Sequence, residues 1–451
     1  MQKLPLVSHA SLDETIAWRK NTAITVGQFL ADVAALAKIL PASQHILNVC
    51  RDRYHFAVGF AAALVSNKVS LLPPTHTIEM VQQLQAFATD VFCLHDNPDC
   101  DIALPKLRYP LSSGLQASST EIPSIDAQQV AAIVFTSGST GMPLPHVKSW
   151  GSLVSNVRAQ AERLDLTPGT AYTLVGTIPP QHMYGFESTV LLTLQSGNAL
   201  HSGQPFYPED IIDALIHTHG ERILVSTPLH LRLLLDAEQP LPAISLVLSA
   251  TAPLSEGLAK KTETSLRVPL IEIYGSTETG QIATRRTTQT DEWQLMPNVR
   301  FKRVDDKLWA EGGHVDIPAP LNDVIEPTAD DRFLLQGRMQ DIINIAGKRH
   351  SLASLNHHLT SIDGVVDGAF FMPYERSHDH VTRLSACVVA PTLTATHILA
   401  ELRKRLDPVF LPRPLLFTES LPRNSTGKLP RQALQTLINQ LMTNARQSQV
   451  N

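Results

Sequence analysis

Four short stretches of this 451-residue chain concentrate groups that handle phosphate and divalent cations. FTSGSTGMPLPHVKSW (135–150) packs two glycines among four hydroxyl side chains, then turns through two prolines into a basic, aromatic end. Small residues let backbone N–H groups converge on one point and hydroxyls add further donors, a concavity that suits a phosphate. A plain surface turn is the ordinary alternative for such a composition. YGSTETG (274–280) sets Glu278 just after a hydroxyl pair at a strand end, where a carboxylate can hold Mg²⁺ directly or through water. GRMQDIINIAGKR (337–349) puts a cation and an acid around a predicted interdomain turn, and LPRNSTGKLPR (421–431) offers Lys428 on a polar, glycine-bearing loop. Each taken singly is an ordinary turn or a solvated charge. GxxxxGK[ST], GxGxxG and GxSxG do not occur, which leaves P-loop, dinucleotide and hydrolase-elbow readings without support. The histidine pairs in IHTHG, NHHL and SHDH have zinc-like spacing with nothing obvious to complete a ligand set.

In order and spacing, the four stretches resemble the adenylate-forming superfamily: acyl- and aryl-CoA synthetases, carrier-protein ligases, nonribosomal adenylation domains and luciferases. The resemblance runs over about residues 130–435. It implies an α/β fold with a large N-terminal domain of packed α/β subdomains plus a small β-rich region. That domain is hinged to a small α+β C-terminal domain. It also implies two half-reactions: a carboxylate attacks the α-phosphate of ATP, and a phosphopantetheine thiol then takes the acyl group and releases AMP. Bringing an anion onto a polyanion demands preorganised donors and cations.

The resemblance assigns Thr136, Ser137, Gly138, Ser139, Thr140 and Gly141 to the loop over the β- and γ-phosphates. Thr277 falls on the α-phosphate, Glu278 on Mg²⁺, and Tyr274 and Gly275 beside the nucleotide. Asp323, in LNDVIEP, matches the acid that grips the ribose, though the usual TGD context is missing, and Arg338 matches the ribose-contacting arginine. Lys428 matches the lysine that bridges substrate carboxylate and phosphate. Gln340 stands at the hinge, where Asp or Lys is usual. Gly347 falls near the pantetheine tunnel, and the acidic ending normal beyond it is replaced by Ser354, Leu355 and Asn356.

One departure sits inside the opening stretch. Where the family reads Pro-Lys-Gly, this chain reads Pro143-Leu144-Pro145, and the nearest cation is Lys148. Lys148 is expected to reach back over the phosphates with Trp150 packed beneath it; a surface lysine is the competing expectation. For the acid, His182 stands where aryl-acid activators keep an aromatic gate, and Thr227, Ala250, Gly275 and Ser276 are small enough to leave room for a flat ring. No Asp aligns with the clamp for an α-amino group. An aryl or unsaturated acid is therefore expected, passed to an acyl carrier protein of the aryl-polyene or pigment type, with coenzyme A as the alternative acceptor. Arg403, Lys404 and Arg405 form a candidate docking run for a carrier protein, or simply a solvated helix face. A degenerate relative that binds nucleotide without turnover is the other reading, suggested by Leu144.

The elements that must position these residues follow a βαβ rhythm. ILNVCRD, KVSLLPP, QQVAAIVFTS and AYTLVGTIPP read as strands, and HFAVGFAAALVSNK and SLVSNVRAQAERL as the helices between them. Short alternating segments in DEWQLMPNVRFKRVDDKLWAEGGHV predict hairpins, and PRQALQTLINQLMTNA predicts a terminal helix. The expected division is 1–339, carrying nucleotide and acid, and 340–451, a mobile domain carrying Lys428. A net charge of −5 argues against nucleic acid, and 43% hydrophobic with 18% charged residues describes a globular chain. No membrane span and no secretory leader are expected, and four cysteines without paired spacing suit a reducing cytoplasm.

Overall fold

The computed structural model describes residues 2–19, 21–110, 121–137, 143–166, 171–305, 307–338, 342–345, 348–372, 384–424, 427 and 429–447. They fall into two compact units. The first comprises Met1–Ala250, Thr262–Arg286 and Gln294–Ala319; the second comprises Thr251–Lys261, Thr287–Trp293 and Pro320–Asn451.

In the first unit the βαβ rhythm builds two sheets. One has six strands in the order Pro143–Ser149, Val130–Ser137, Val69–Leu72, His45–Asn48, Phe92–His95 and Lys106–Arg108. Its neighbours run parallel except the outermost pair, Pro143–Ser149 on Val130–Ser137, which is antiparallel. The larger sheet runs Thr22–Thr25, Thr15–Arg19, Ala199–His201, Tyr172–Gly176, Glu221–Ser226, Leu246–Ser249, Leu270–Ser276, Gly280–Arg285. It is parallel through its middle and antiparallel at both flanks. Its central strands read as continuous apolar runs because both faces are covered.

Helix Arg53–Val65 explains how the sheets share a core. It is buried from Arg53 through Leu64, without a polar face, and packs on Ala199–His201 from one sheet and on His45–Asn48 and Val69–Leu72 from the other. Phe56, Phe60, Phe186 and Trp150 fill the space around it, each under 2% exposed. Removing one such ring from water contributes roughly 1.5–3 kcal/mol.

Two prolines read as a turn in the sequence are strand residues instead. Pro143 and Pro145 lie on the sheet's outermost strand, paired with Ser137 and Phe135. A border strand is laddered on one side only, so a missing N–H is tolerated there. The strand ends where Ser149 caps helix Trp150–Arg163, its Oγ accepting from the Ser152 N–H at 3.1 Å. The expected hairpins form a three-stranded sheet from Arg300–Val304, Lys307–Gly312 and Val315–Pro320.

The second unit holds the hairpin Asp323–Ala329 with Arg332–Arg338, a short hairpin Ile342–Ile345 with Lys348–Ser351, and helix Leu352–Thr360. Strands Asp367–Phe371, Ser385–Val389 and Leu415–Phe417 form a small sheet, accompanied by helices Ala395–Arg403 and Arg431–Gln447. Leu355, Leu359, Val388, Ile398 and Leu402 make its core. Among the described residues no helix is long and apolar enough to cross a membrane.

Candidate active site

Both stretches of the first unit expected to bind anions lie at the carboxyl ends of parallel strands, Val130–Ser137 and Leu270–Ser276. That is where open α/β sheets place their ligands. Thr136 is the penultimate residue of the first strand, with Leu144 as its cross-strand partner. Gly138, Ser139, Thr140 and Gly141 lie outside the described residues, as does the side chain of Ser137.

His146 joins the two stretches. Its Nε2 lies 2.9 Å from Thr136 Oγ1 and 3.8 Å from Glu278 Oε1. Burial lowers the basicity of its ring, and the Lys148 charge adds to this while Glu278 opposes it. Two residues on, the Lys148 ammonium donates to the backbone carbonyl of Glu278 at 2.8 Å. Burial lowers the Lys148 pKa too, against the pull of Glu187, Glu278 and Asp316. Trp150, expected beneath Lys148, packs in the core beside Phe60, ring centroids 6.3 Å apart.

The second stretch is a self-locked turn. Thr279 Oγ1 accepts from the Ser276 N–H at 3.1 Å and donates to the Gly280 carbonyl at 2.8 Å. Its glycines answer to close approaches. A Cβ on Gly275 would stand 2.1 Å from the Gly280 oxygen, and Gly280, at φ +72°, has no room because Asn156 Nδ2 and Glu187 Oε1 lie beneath it.

Beneath the turn lies a polar cluster that sequence reasoning missed. Glu187, on the π-helical segment Phe186–Leu191, is 2% exposed and accepts from Asn156 Nδ2. Burial pushes its carboxyl up to about 7, while Lys148, Gln281 and Asn156 hold it down from going further. Ser188 Oγ accepts from Gln281 Nε2 at 2.9 Å and Gln160 Nε2 at 3.0 Å. His314 is also buried, its ring kept neutral by burial and by the Lys148 charge, with a pKa of about 4. Ser149 Oγ donates to Asp316 Oδ2 at 3.0 Å. A signal was present: Asn156 and Gln160 sit on the buried face of an amphipathic helix, and Glu187 interrupts an apolar run.

Tyr274 is half-buried, and Gly275 and Ser276 are exposed at the strand end. Of the other residues expected around the acid, Ala250 is buried, and Thr227 caps helix Pro228–Asp236 while its Oγ1 pairs with His230 Nδ1 at 2.8 Å. His182 caps the short turn after it, Nδ1 accepting from the Tyr184 N–H at 3.3 Å. In the second unit, Asp323 and Arg338 are cross-strand neighbours. Lys428 and Gln340 lie outside the described residues.

Among the described residues no group of three or more His, Cys, Asp or Glu could hold a metal ion by itself. A lone, partly exposed carboxylate such as Glu278 still fits Mg²⁺, which is bound through one or two carboxylates together with substrate phosphates and water.

The AMP-binding enzyme family profile matches residues 14–309 of this sequence, and the chain belongs to that family. It is an AMP-forming acid–thiol ligase. It is 28% identical to the 4-coumarate–CoA ligase of Rhodobacter capsulatus over 306 residues, covering 67% of this chain and 75% of the relative. It is 25% identical to a 4-chlorobenzoate–CoA ligase of an Arthrobacter species over 373 residues, covering 73% and 70%. The fold is similar to that of ATP-bound MatB from Rhodopseudomonas palustris, with a TM-score of 0.81 at 17% identity over 95% and 97% of the two chains. It is also similar to o-succinylbenzoate CoA synthetase from Bacillus subtilis in complex with its acyl-adenylate, with a TM-score of 0.79 at 16% identity over 97% and 98%.

Proposed function

We propose that this enzyme activates an aryl or unsaturated carboxylic acid with ATP and delivers the acyl group to coenzyme A. The observation that carries the reading is the convergence of Thr136, His146 and Glu278 from two different sheets. Relatives named as ligases of 4-coumarate and 4-chlorobenzoate support a ring-bearing acid, and they favour coenzyme A over the carrier protein that the sequence put first.

In this reading a carboxylate oxygen of the acid attacks the α-phosphorus, the bond to the bridging oxygen breaks, and pyrophosphate leaves. Thr136 and the hydroxyl loop hold the outer phosphates, Thr277 the α-phosphate, and Asp323 and Arg338 the ribose. Mg²⁺ held by Glu278 would neutralise phosphate charge. Lys428 brings its ammonium between acid and phosphate, a compact charge facing both anions. A swing of the C-terminal segment at Gln340 then admits the thiol, whose sulfur attacks the acyl carbon as AMP departs and the thiol proton is lost to solvent.

Carboxylate-dependent ATP–pyrophosphate exchange tests the first half. Exchange with an aryl acid, lost in Lys428→Ala, is the expected result; absence of exchange across a broad acid panel overturns it. Mass spectrometry with coenzyme A and with a carrier protein side by side decides the acceptor.

A further inference from the structure

The border strand Pro143–Ser149 alternates its side chains, so Leu144, His146 and Lys148 share one face with Thr136 on the paired strand. At position 144 that face carries an exposed leucine, and its lysine comes four residues later. Lys148 does not end in solvent: its ammonium donates to the Glu278 carbonyl at 2.8 Å. Below the same turn stands the buried Glu187 carboxylate, 3.1 Å from where a Cβ on Gly280 would be. A carboxylate this deep needs a counter-charge. The charge on Lys148, held against the same turn, favours its ionised form.

We propose that Lys148, with Glu187 as its buried counter-charge, is a positioning residue that clamps the 276–280 turn to the border strand. The clamp fixes Thr277 and Glu278 relative to Thr136 before nucleotide arrives. Lys148 thus takes over from the missing loop lysine by a different route, holding the turn that meets the phosphates rather than meeting them itself. Asn156 Nδ2 donates to Glu187 beneath the turn. The inference deepens the proposed function and rests on it for the meaning of the turn, while the clamp itself can be read without activity.

Lys148→Met, Lys148→Arg, Glu187→Gln and the double variant Lys148→Met/Glu187→Gln test it, with two readouts. The first is backbone hydrogen exchange of the 276–281 peptide in nucleotide-free protein, with the strand Ser385–Val389 as internal control for folding. The second is the kcat and the KM for ATP in pyrophosphate exchange. Lys148→Met is expected to speed hydrogen exchange in 276–281 alone and to lower kcat by about tenfold or more, as loss of a charged hydrogen bond does, with a smaller change in KM. Lys148→Arg restores part of both, and the double variant is no worse than Lys148→Met because the two side chains act as one unit. The clamp is overturned if hydrogen exchange in 276–281 is unchanged in Lys148→Met, if only the KM for ATP rises, or if the two substitutions simply add. Should the parent enzyme show no pyrophosphate exchange at all, the functional reading fails while the hydrogen-exchange arm still decides the clamp.

Discussion

Asp323 and Arg338 stand opposite each other as Cα partners at the open end of one antiparallel hairpin. They are fifteen positions apart in the chain, and the ladder brings them to one place. Gly337, at φ +119°, packs closely against Ser351, whose Oγ would be 2.6 Å from a Cβ there. If both residues hold one ribose, Arg338→Ala and Asp323→Asn each raise the KM for ATP by about tenfold. The double variant adds little, since both lose the same ligand. Exchange rates at varied ATP check this.

In the proposed function Glu278 would hold Mg²⁺. Its side chain is 31% exposed, so Glu278→Gln should fold normally. Loss of metal-assisted charge neutralisation costs several kcal/mol in the transition state, on the order of a hundredfold or more in kcat. Chelation of divalent ions should reproduce the loss in the parent enzyme and change the variant little. Exchange assays with and without chelator measure both.

Leu144 is 53% exposed on the face it shares with His146. Leu144→Lys should therefore leave stability within about 0.5 kcal/mol, as exposed substitutions usually do. It should lower the KM for ATP by placing a cation beside the hydroxyl loop. Thermal melting together with ATP titration tests the two halves separately.

Gly280 is set at φ +72° over Asn156 and Glu187, and a methyl group there would meet Asn156 Nδ2 at 2.5 Å. Gly280→Ala should destabilise by roughly 1–3 kcal/mol from backbone strain and more from the collision. A lowered denaturation midpoint with an unchanged m-value reports this.

His230 and His314 are buried, and desolvation holds each ring's pKa near 4 against the usual 6.5. Between those values the unfolded chain takes up protons that the fold refuses, so their stabilising effect is complete above pH 6.5 and lost as pH falls towards 4. Denaturant midpoints should drop across that window. His230→Gln should flatten the pH slope by about one proton.

The fold was largely legible because its strands and helices carry strong periodicity. ILNVCRD and QQVAAIVFTS became the strands His45–Asn48 and Val130–Ser137, and SLVSNVRAQAERL lies within helix Trp150–Arg163. The motifs marked the two strand-end stretches that His146 brings together. What lay hidden was three-dimensional. That Pro143–Ser149 is a strand depends on its standing at a border, which no local signal reports. His146 looked unremarkable until the hairpin register set its ring against Thr136. Glu187 and Lys148 are 39 positions apart, and only packing places them under one turn.

The prolines at 143 and 145 carry one more consequence. They sit two apart on the outermost strand, so both nitrogens face the same side and neither has a hydrogen to offer. Leu144 and Val147 leave greasy side chains in water on that same margin, which would otherwise invite a foreign strand to zip on. With two donors removed from one stretch of the margin, pairing by a foreign strand is weakened there.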